Sequence, residues 1–217
     1  YHGGTTYAAD GRSFSWDDVV ELAHRQIHGL PDGMDPGLAS FDIMQVPTGG
    51  ALPKDDKVQM YPCYSFEFHL LLVAFDPVIG KPEIHAYTIG HDCGTVINPA
   101  IVSGMTYGGI AHGIGAALLE EFAYDESGQL MTQSFLDYLM PSSHEVPDIQ
   151  LVKHCTPSPH TVFGQKGSGE SGYLGAPAAI SSAINHAVSG MDIHFTSLPI
   201  RMSMISDAIA NANRSDK

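Results

Sequence analysis

The sequence predicts an α+β fold in which a mixed sheet is covered by helices. Two strand-like runs, residues 65–75 and 83–90, flank a turn that contains Asp, Pro and Gly, and they predict a β-hairpin. An Asn-Pro pair then supplies a helix N-cap with proline at the first helical position, which predicts one long helix over residues 100–122. Short strand-like segments follow, the last over residues 150–155. A last helix is expected over residues 177–189.

The first 60 residues predict a peripheral element. Ser15 is a candidate N-cap followed by acidic first-turn residues, so a helix is expected to run from there to about His28. Residues 29–60 are rich in Gly, Pro and Asp and predict an extended surface loop. We therefore expect two regions: a peripheral helix and loop over residues 1–60, and the main domain over residues 61–217.

The predicted long helix contains an unusual number of glycines, each of which costs up to about 1 kcal/mol relative to alanine. A close contact must compensate for them, and we expect Gly104, Gly108 and Gly113 to face a near neighbour. A membrane span is disfavoured because His112 lies in the middle of the helix and two glutamates end it. The sequence thus favours a buried helix.

The composition limits the classes of partner. Ten Lys and Arg residues stand against 24 Asp and Glu residues, a net charge of −14, so nucleic acid and anionic membranes would be repelled. Only 16% of the residues are charged, while 23 are Gly and 14 are Pro. Low charge with many close backbone approaches predicts extensive burial against other chains.

Cysteine usage indicates a reducing compartment. Cys63, Cys93 and Cys155 are far apart in the sequence and form no CxxC pair. Three thiols are also fewer than the four that an ordinary iron–sulfur cluster takes, so any cluster must be bound by another chain. We expect a cytoplasmic protein, and export to the periplasm by way of a partner subunit stays open.

The strongest chemical candidate is a glycine-rich loop, residues 164–172, which carries Lys166 and Glu170. Glycines let the backbone N–H groups approach a bound anion, and a carboxylate in a dry pocket can act as a general base. A solvated turn with a surface glutamate is an equally open interpretation of the residues alone. The spacing excludes a serine-hydrolase nucleophile elbow at Ser168 or Ser171, and no phosphate-binding P-loop pattern is present.

Other polar residues are weaker candidates. His24 and His28 have the spacing of a helical metal pair but no third ligand, so an exposed helix face is the favoured interpretation. A His-Cys-His cluster between residues 154 and 160 lacks the spacing of a tetrahedral site. Cys93 has the chemistry of a nucleophile.

Four ordered segments carry a family resemblance. The loop over residues 167–170 resembles the Gly-x-Gly-Glu motif of molybdenum hydroxylases of the xanthine oxidase and aerobic carbon monoxide dehydrogenase type. Residues 91–99, 108–115 and 135–141 are similar to three further segments of that family, in the same order. The resemblance covers roughly residues 60–190.

The resemblance implies that the chain is the C-terminal part of a large, molybdopterin-binding subunit, with Glu170 as the catalytic base. The family usually has Gln where this chain has His112, a position that approaches the cofactor. The resemblance implies no direct protein ligand to the metal. It assigns cofactor binding to Asp92, Cys93, Gly94, Asn98, His112, Lys166, Gly167, Ser168 and Gly169.

The implied activity is oxidation of an organic substrate, such as an N-heterocycle or an aldehyde, with oxygen derived from water. The implied cofactor is molybdenum-molybdopterin in its cytosine dinucleotide form. The implied partners are a larger molybdenum-binding chain, an iron–sulfur subunit with 2Fe-2S clusters and a flavin subunit with FAD. Two alternatives remain open: a molybdenum hydratase of the same fold without net redox chemistry, and a non-catalytic assembly subunit, against which Glu170 counts.

Overall fold

The computed structural model describes residues 3–41, 43 and 61–215 and divides the chain into two compact units, residues 1–45 and 46–217. The predicted boundary near residue 60 lies outside the described residues, as does the later part of the predicted loop. Residues 30–41, which belong to that loop, form neither helix nor strand.

The first unit begins with a small antiparallel hairpin that the sequence analysis missed. Its strands are β1 (Thr5–Tyr7) and β2 (Ser13–Ser15). Helix α1 (Trp16–His24) follows directly, and Ser15 is its N-cap. The Ser15 hydroxyl accepts a hydrogen bond from the Asp18 amide at 3.1 Å, and the Asp18 carboxylate accepts one from the Ser15 amide at 3.2 Å. This capping box confirms the predicted helix start.

Helix α1 ends at His24, earlier than predicted. The amides of Arg25 and Gln26 both donate to the Glu21 carbonyl and close the final turn there. A separate 3₁₀ turn over Ile27–Gly29 follows, so the prediction of one helix to about His28 was wrong.

The second unit contains a mixed sheet, as the sequence predicted, and the described sheet has three strands. Strands β3 (Phe66–Phe75) and β4 (Pro82–Asp92) form the antiparallel hairpin, with a bulge between Leu72 and Val73. Strand β5 (Ile149–His154) pairs in parallel with β4, which gives the order β3-β4-β5. Ahead of β5, the expected further strands are replaced by turns and an isolated bridge between Tyr124 and Leu130.

Within the described residues 61–215, this unit has three α-helices: α2 (Pro99–Leu118), α3 (Ala176–Ala187) and α4 (Met202–Ser215). Helix α4 was not predicted, and α3 is therefore not the last helix. Helix α2 ends at Leu118 rather than at Phe122, because the amides at positions 119 and 120 both donate to the Gly115 carbonyl. Among the described residues, no helix has the length and apolar character needed to cross a membrane.

The core of this unit lies where α3 packs against β3 and α2. Full burial of an isoleucine side chain stabilises a fold by about 1.5–3 kcal/mol, and isoleucines dominate this core. Its largest fully buried side chains are Tyr87, Ile89, Ile110, Ile114, Ile180, Ile184, Ile200 and Ile205.

Close packing of α2 explains two of its glycines. A Cβ built at Gly109 would overlap the Ser171 carbonyl, and one at Gly113 would lie 2.5 Å from the Ala176 Cβ. By contrast, a Cβ at Gly104 or Gly108 would meet no described atom within 4 Å. The expected close neighbour therefore exists for Gly113 and also for Gly109, whereas the described residues provide none for Gly104 or Gly108.

Candidate active site

The glycine-rich loop is fixed to the segment that follows β4. The amide of Lys166 donates to the Cys93 carbonyl at 2.8 Å, and Gly94 forms a bridge with Gln165. Gly94 has a φ of +66°, and a Cβ there would overlap the Gly164 carbonyl. Only glycine allows this approach without strain, so the Gly at position 94 sets how closely the loop approaches the sheet.

A buried ion pair joins the same two segments. Lys166 Nζ lies 3.3 Å from Asp92 Oδ2 and 2.7 Å from Thr156 Oγ1. The Thr156 hydroxyl in turn donates to Asp92 Oδ2, and the amides of Gly94 and Thr156 donate to Asp92 Oδ1 at 2.8 and 3.1 Å. The Lys166 charge is thus neutralised within the protein.

This network controls the ionisation of Asp92. Burial by itself would raise the pKa of Asp92, but the hydrogen bonds from Thr156, the Gly94 amide and Lys166 outweigh it. Together they hold the pKa of Asp92 well below its usual range. Asp92 is therefore a permanent anion that anchors the loop.

A second buried network, formed by Glu67 and His91, holds the residues next to Glu170 in the loop. Glu67 Oε1 accepts a hydrogen bond from the Gly172 amide at 2.7 Å. The Ser171 hydroxyl lies 2.8 Å from both His91 Nε2 and Ser168 Oγ. Burial lowers the pKa of His91, and the negative charges of Glu67 and Asp92 only partly offset this, so the ring is neutral at neutral pH.

The network continues along the sheet to Tyr87. His69 Nδ1 lies 2.7 Å from the Tyr87 hydroxyl, and His69 Nε2 lies 3.3 Å from Glu67 Oε2. Burial of Glu67 would raise its pKa, but hydrogen bonds from His69 and the Gly172 amide lower it below the usual value. Glu67 is therefore ionised at neutral pH.

Glu170 lies at the exposed end of the loop. It lines an open cleft of about 750 Å³. Among the described residues, no hydrogen bond or ion pair involves its carboxylate. The carboxylate is thus free to accept a proton. The other residues that line this cleft include Tyr61, Cys63, Tyr64, Glu67, His69, Ser168 and Leu174.

The remaining predicted site residues lie in three places. The His112 ring on α2 stacks against Tyr173, with 4.8 Å between the ring centroids. Asn98 is the N-cap of α2, and its side chain accepts hydrogen bonds from two backbone amides at 3.1 Å each. Cys93 is buried, which raises the pKa of its thiol and disfavours the thiolate.

Comparison with known proteins decides the family. Residues 1–147 match the family described as molybdopterin cofactor-binding domain. The chain is also 43% identical over 182 residues to the nicotine 6-hydroxylase large subunit of Paenarthrobacter nicotinovorans, an alignment that covers 84% of this chain and 21% of that protein. The chain belongs to the molybdopterin cofactor-binding family. It corresponds to a C-terminal part of a xanthine oxidase-type molybdenum-binding subunit, as the motifs predicted.

Solved structures of this family have the same fold. Quinoline 2-oxidoreductase from Pseudomonas putida 86 matches with a TM-score of 0.76 and 33% identity, over 95% of this chain and 25% of that one. A Cu,Mo carbon monoxide dehydrogenase matches with a TM-score of 0.78 over 98% of this chain and 26% of that one. At 22% identity, the latter match concerns the fold alone. The chain spans about a fifth of the length of the curated relatives that it matches.

The loop fits an anionic group such as the molybdopterin cofactor. The backbone N–H groups of residues 167–170 have no hydrogen-bond partner within the part of the chain that the structure describes. A Cβ at Gly167 or Gly169 would meet no described atom within 4 Å, so open space lies beside them. Unpaired N–H groups beside open space suit negatively charged oxygen atoms. Lys166 adds no free charge, because its ammonium group is paired with Asp92.

The alternative metal sites are not supported by the structure. His24 ends α1 and His28 lies in the following 3₁₀ turn, so the two do not share one helix face. In residues 3–41, 43 and 61–215, no group of three or more His, Cys, Asp or Glu side chains is arranged to hold a metal ion.

Sequence reasoning missed Glu67, His69 and His91. All three lie at inward-facing positions of β3 and β4, on the same face of the sheet as Leu71 and Ile89, where apolar residues are expected. Polar residues at buried positions of a strand are the signal that could have found them, because burial of such groups is costly unless they are hydrogen-bonded.

Proposed function

We propose that this chain provides the general base and part of the cofactor-binding loop of a molybdenum-dependent hydroxylase. The observation that supports this proposal most directly is the position of the Glu170 carboxylate. It lies without a described hydrogen-bond partner at an open cleft, on a loop with four unpaired backbone N–H groups. Membership of the molybdopterin cofactor-binding family supports the same reading. A carboxylate beside an anion-binding loop is suited to proton transfer at a bound cofactor.

When bound, the molybdenum cofactor supplies a two-electron redox centre at which a substrate carbon is oxidised with oxygen from water. The N–H groups of residues 167–170 would hold its anionic oxygens, and Asp92, Cys93 and Gly94 would keep the loop in place. Asn98 would contribute by fixing the start of α2. The Glu170 carboxylate accepts the proton that the water-derived oxygen releases as it bonds to carbon. His112, stacked on Tyr173, lines the side of the loop near α2.

An N-heterocyclic aromatic compound is the proposed substrate class. Two of the similar proteins, nicotine 6-hydroxylase and quinoline 2-oxidoreductase, carry names that refer to N-heterocycles. These two are 43% and 33% identical to this chain, whereas the carbon monoxide dehydrogenase structure is 22% identical. An aldehyde remains the second candidate class.

The chain is proposed to act within a larger assembly. The outward face of β3 exposes four large apolar side chains, which are 61–69% exposed: Phe66, Phe68, Leu70 and Leu72. Such a continuous apolar surface is typical of an interface. We propose a larger molybdenum-binding chain as its cover, with iron–sulfur and FAD subunits that receive the electrons.

Three further expectations belong to this proposal. The cofactor is taken to be the cytosine dinucleotide form of molybdopterin, and the assembly to be cytoplasmic. Residues 1–60 are proposed to be a peripheral region and residues 61–217 a partial cofactor-binding domain that another chain completes.

Purification of the complete assembly tests the proposal. We expect molybdenum, a pterin cytosine dinucleotide and at least one larger chain by metal analysis and mass spectrometry. Addition of an N-heterocyclic aromatic substrate should then reduce an artificial electron acceptor. Product formation without reduction of the acceptor would indicate a hydratase instead, and a stable metal-free monomer would refute the proposal.

A further inference from the structure

Three residues that bracket Glu170 are held by one pair of side chains on the sheet. The Gly172 amide donates to Glu67 Oε1 at 2.7 Å, and Ser171 Oγ lies 2.8 Å from His91 Nε2. Ser168 joins the same pair through its 2.8 Å contact with Ser171 Oγ. The backbone on both sides of Glu170 is therefore tied to Glu67 and His91.

Glu67 and His91 are themselves direct cross-strand neighbours. They are Cα partners in the antiparallel register of β3 and β4, and Glu67 Oε1 lies 3.8 Å from His91 Nε2. Their side chains are 15% and 1% exposed. A sheet is more rigid than a loop. Two side chains on adjacent strands therefore position the loop more accurately than contacts within the loop would.

Glu67 is an unusual residue for an inward-facing position of β3. An inward-facing strand position normally takes an apolar residue, and an unpaired buried charge is costly. At Glu67 this cost is offset by the Gly172 amide and by His69, whose Nε2 lies 3.3 Å from Oε2. Gly172 has a φ of +83°, and a Cβ there would overlap the Thr106 carbonyl. The turn just after Glu170 is thus constrained from two sides.

We infer that Glu67, with its cross-strand partner His91, is a positioning residue that holds the Glu170 carboxylate in its reactive place. The inference rests on the proposed role of Glu170 as the base. Glu67 acts through the backbone amide of Gly172, so an uncharged acceptor of the same size should serve almost as well as the carboxylate. Loss of the acceptor should release the turn and misplace Glu170.

The test compares Glu67→Ala with Glu67→Gln in the assembled enzyme, with rates expressed per bound molybdenum. Glu67→Ala should lower kcat by about 10- to 100-fold, as expected for misplacement of a reacting group by about 1 Å, with KM changed far less. Glu67→Gln keeps an oxygen for the Gly172 amide and should retain most of the rate. Glu83→Ala is the control, because Glu83 is an exposed glutamate at the opposite end of β4 from His91. This variant should match the wild type.

Equal losses in the Ala and Gln variants, or an unchanged kcat in Glu67→Ala, would overturn the inference. If Glu67→Ala does not assemble, Ser168→Ala decides, because it removes only one hydroxyl tether: a lower kcat supports the inference, and an unchanged one refutes it. Glu170→Gln is measured in the same assay. Full activity of that variant would refute the proposed base itself, whereas an inactive Glu170→Gln beside a normal Glu67→Ala refutes the positioning role alone.

Discussion

Lys166 and Asp92 form an ion pair whose two side chains are 7% and 9% exposed, with 3.3 Å between Nζ and Oδ2. Asp92 ends β4, and Lys166 lies four residues before Glu170 in the loop. The pair therefore joins the sheet to the candidate active site across 74 residues of sequence. Its charges serve attachment of the loop rather than direct binding of an anion.

Removal of one partner of this pair should be strongly destabilising. Asp92→Ala leaves a buried ammonium group without its anion, and such changes cost about 3–5 kcal/mol. Denaturant unfolding of the assembled protein measures this loss. Asp10→Ala removes the acid of an exposed pair, in which Arg12 and Asp10 are 70% and 52% exposed, and should have no measurable effect. Equal effects of the two substitutions would contradict the structural role of the buried pair.

The same pair predicts how stability depends on pH. The folded-state pKa of Asp92 lies below its unfolded value, so its contribution is fully present above the unfolded pKa of about 3.9. The contribution is lost as the pH falls through the lower, folded-state pKa. The difference in unfolding free energy between wild type and Asp92→Asn should therefore be constant near neutral pH and shrink below about pH 4. A constant difference throughout the acid range would contradict the depressed pKa.

Close packing of α2 against the loop gives a matched pair of glycine variants. Gly109→Ala places a methyl group against the Ser171 carbonyl and should cost about 1–3 kcal/mol through overpacking. Gly108→Ala, one residue away, meets no described atom within 4 Å and should be neutral or stabilise the helix by up to about 1 kcal/mol. Thermal unfolding and molybdenum content measure both. Full stability of Gly109→Ala would show that α2 and the loop do not pack as described.

Local signals in the sequence predicted most of the fold. The Asn98-Pro99 cap and the alternating runs of β3 and β4 are decided by neighbouring residues, so hairpin and helix start were predicted correctly. Helix α4 was missed because its buried residues, Ile205 and Ile209, stand among Ser, Asp and Asn, which are weak helix formers. The apolar spacing of Met202, Ile205 and Ile209 is the signal that could have found it, but the helix is stabilised mainly by packing on the core, which is a tertiary contact.

The candidate site was only partly predictable for the same reason. Glu170 was predicted because its glycine-rich surroundings are contiguous in sequence and resemble a known motif. The pairing of Glu67 with Gly172 joins residues 105 positions apart, and that of Asp92 with Lys166 joins residues 74 positions apart. Such pairs depend on strand register and on the path of the loop. Lys166 was therefore expected to face an anion, whereas the structure places its amino group on Asp92.

Substitution of His112 should change the substrate range while the cofactor stays bound. Its ring stacks on Tyr173, three residues after Glu170, and His112→Gln introduces the residue usual in the family. We expect normal molybdenum content and a change of about tenfold or less in kcat/KM, which corresponds to about 1.4 kcal/mol. The ratio of kcat/KM between two N-heterocyclic substrates should shift. Loss of bound molybdenum would instead show that His112 is required for cofactor binding.

Glu170→Gln should leave the assembly intact and loaded with molybdenum while abolishing turnover. Glutamine keeps the size and hydrogen-bonding reach of the side chain, and no described contact of Glu170 would be lost with its charge. The amide cannot accept the proton, and removal of a general base lowers rates by about 10²–10⁴-fold or more. Glu126→Gln, in an exposed turn remote in sequence from the loop, is the matched control and should retain the wild-type rate. Electron transfer to an artificial acceptor is measured beside molybdenum content in both variants, and near-normal turnover of fully loaded Glu170→Gln would show that another group is the base.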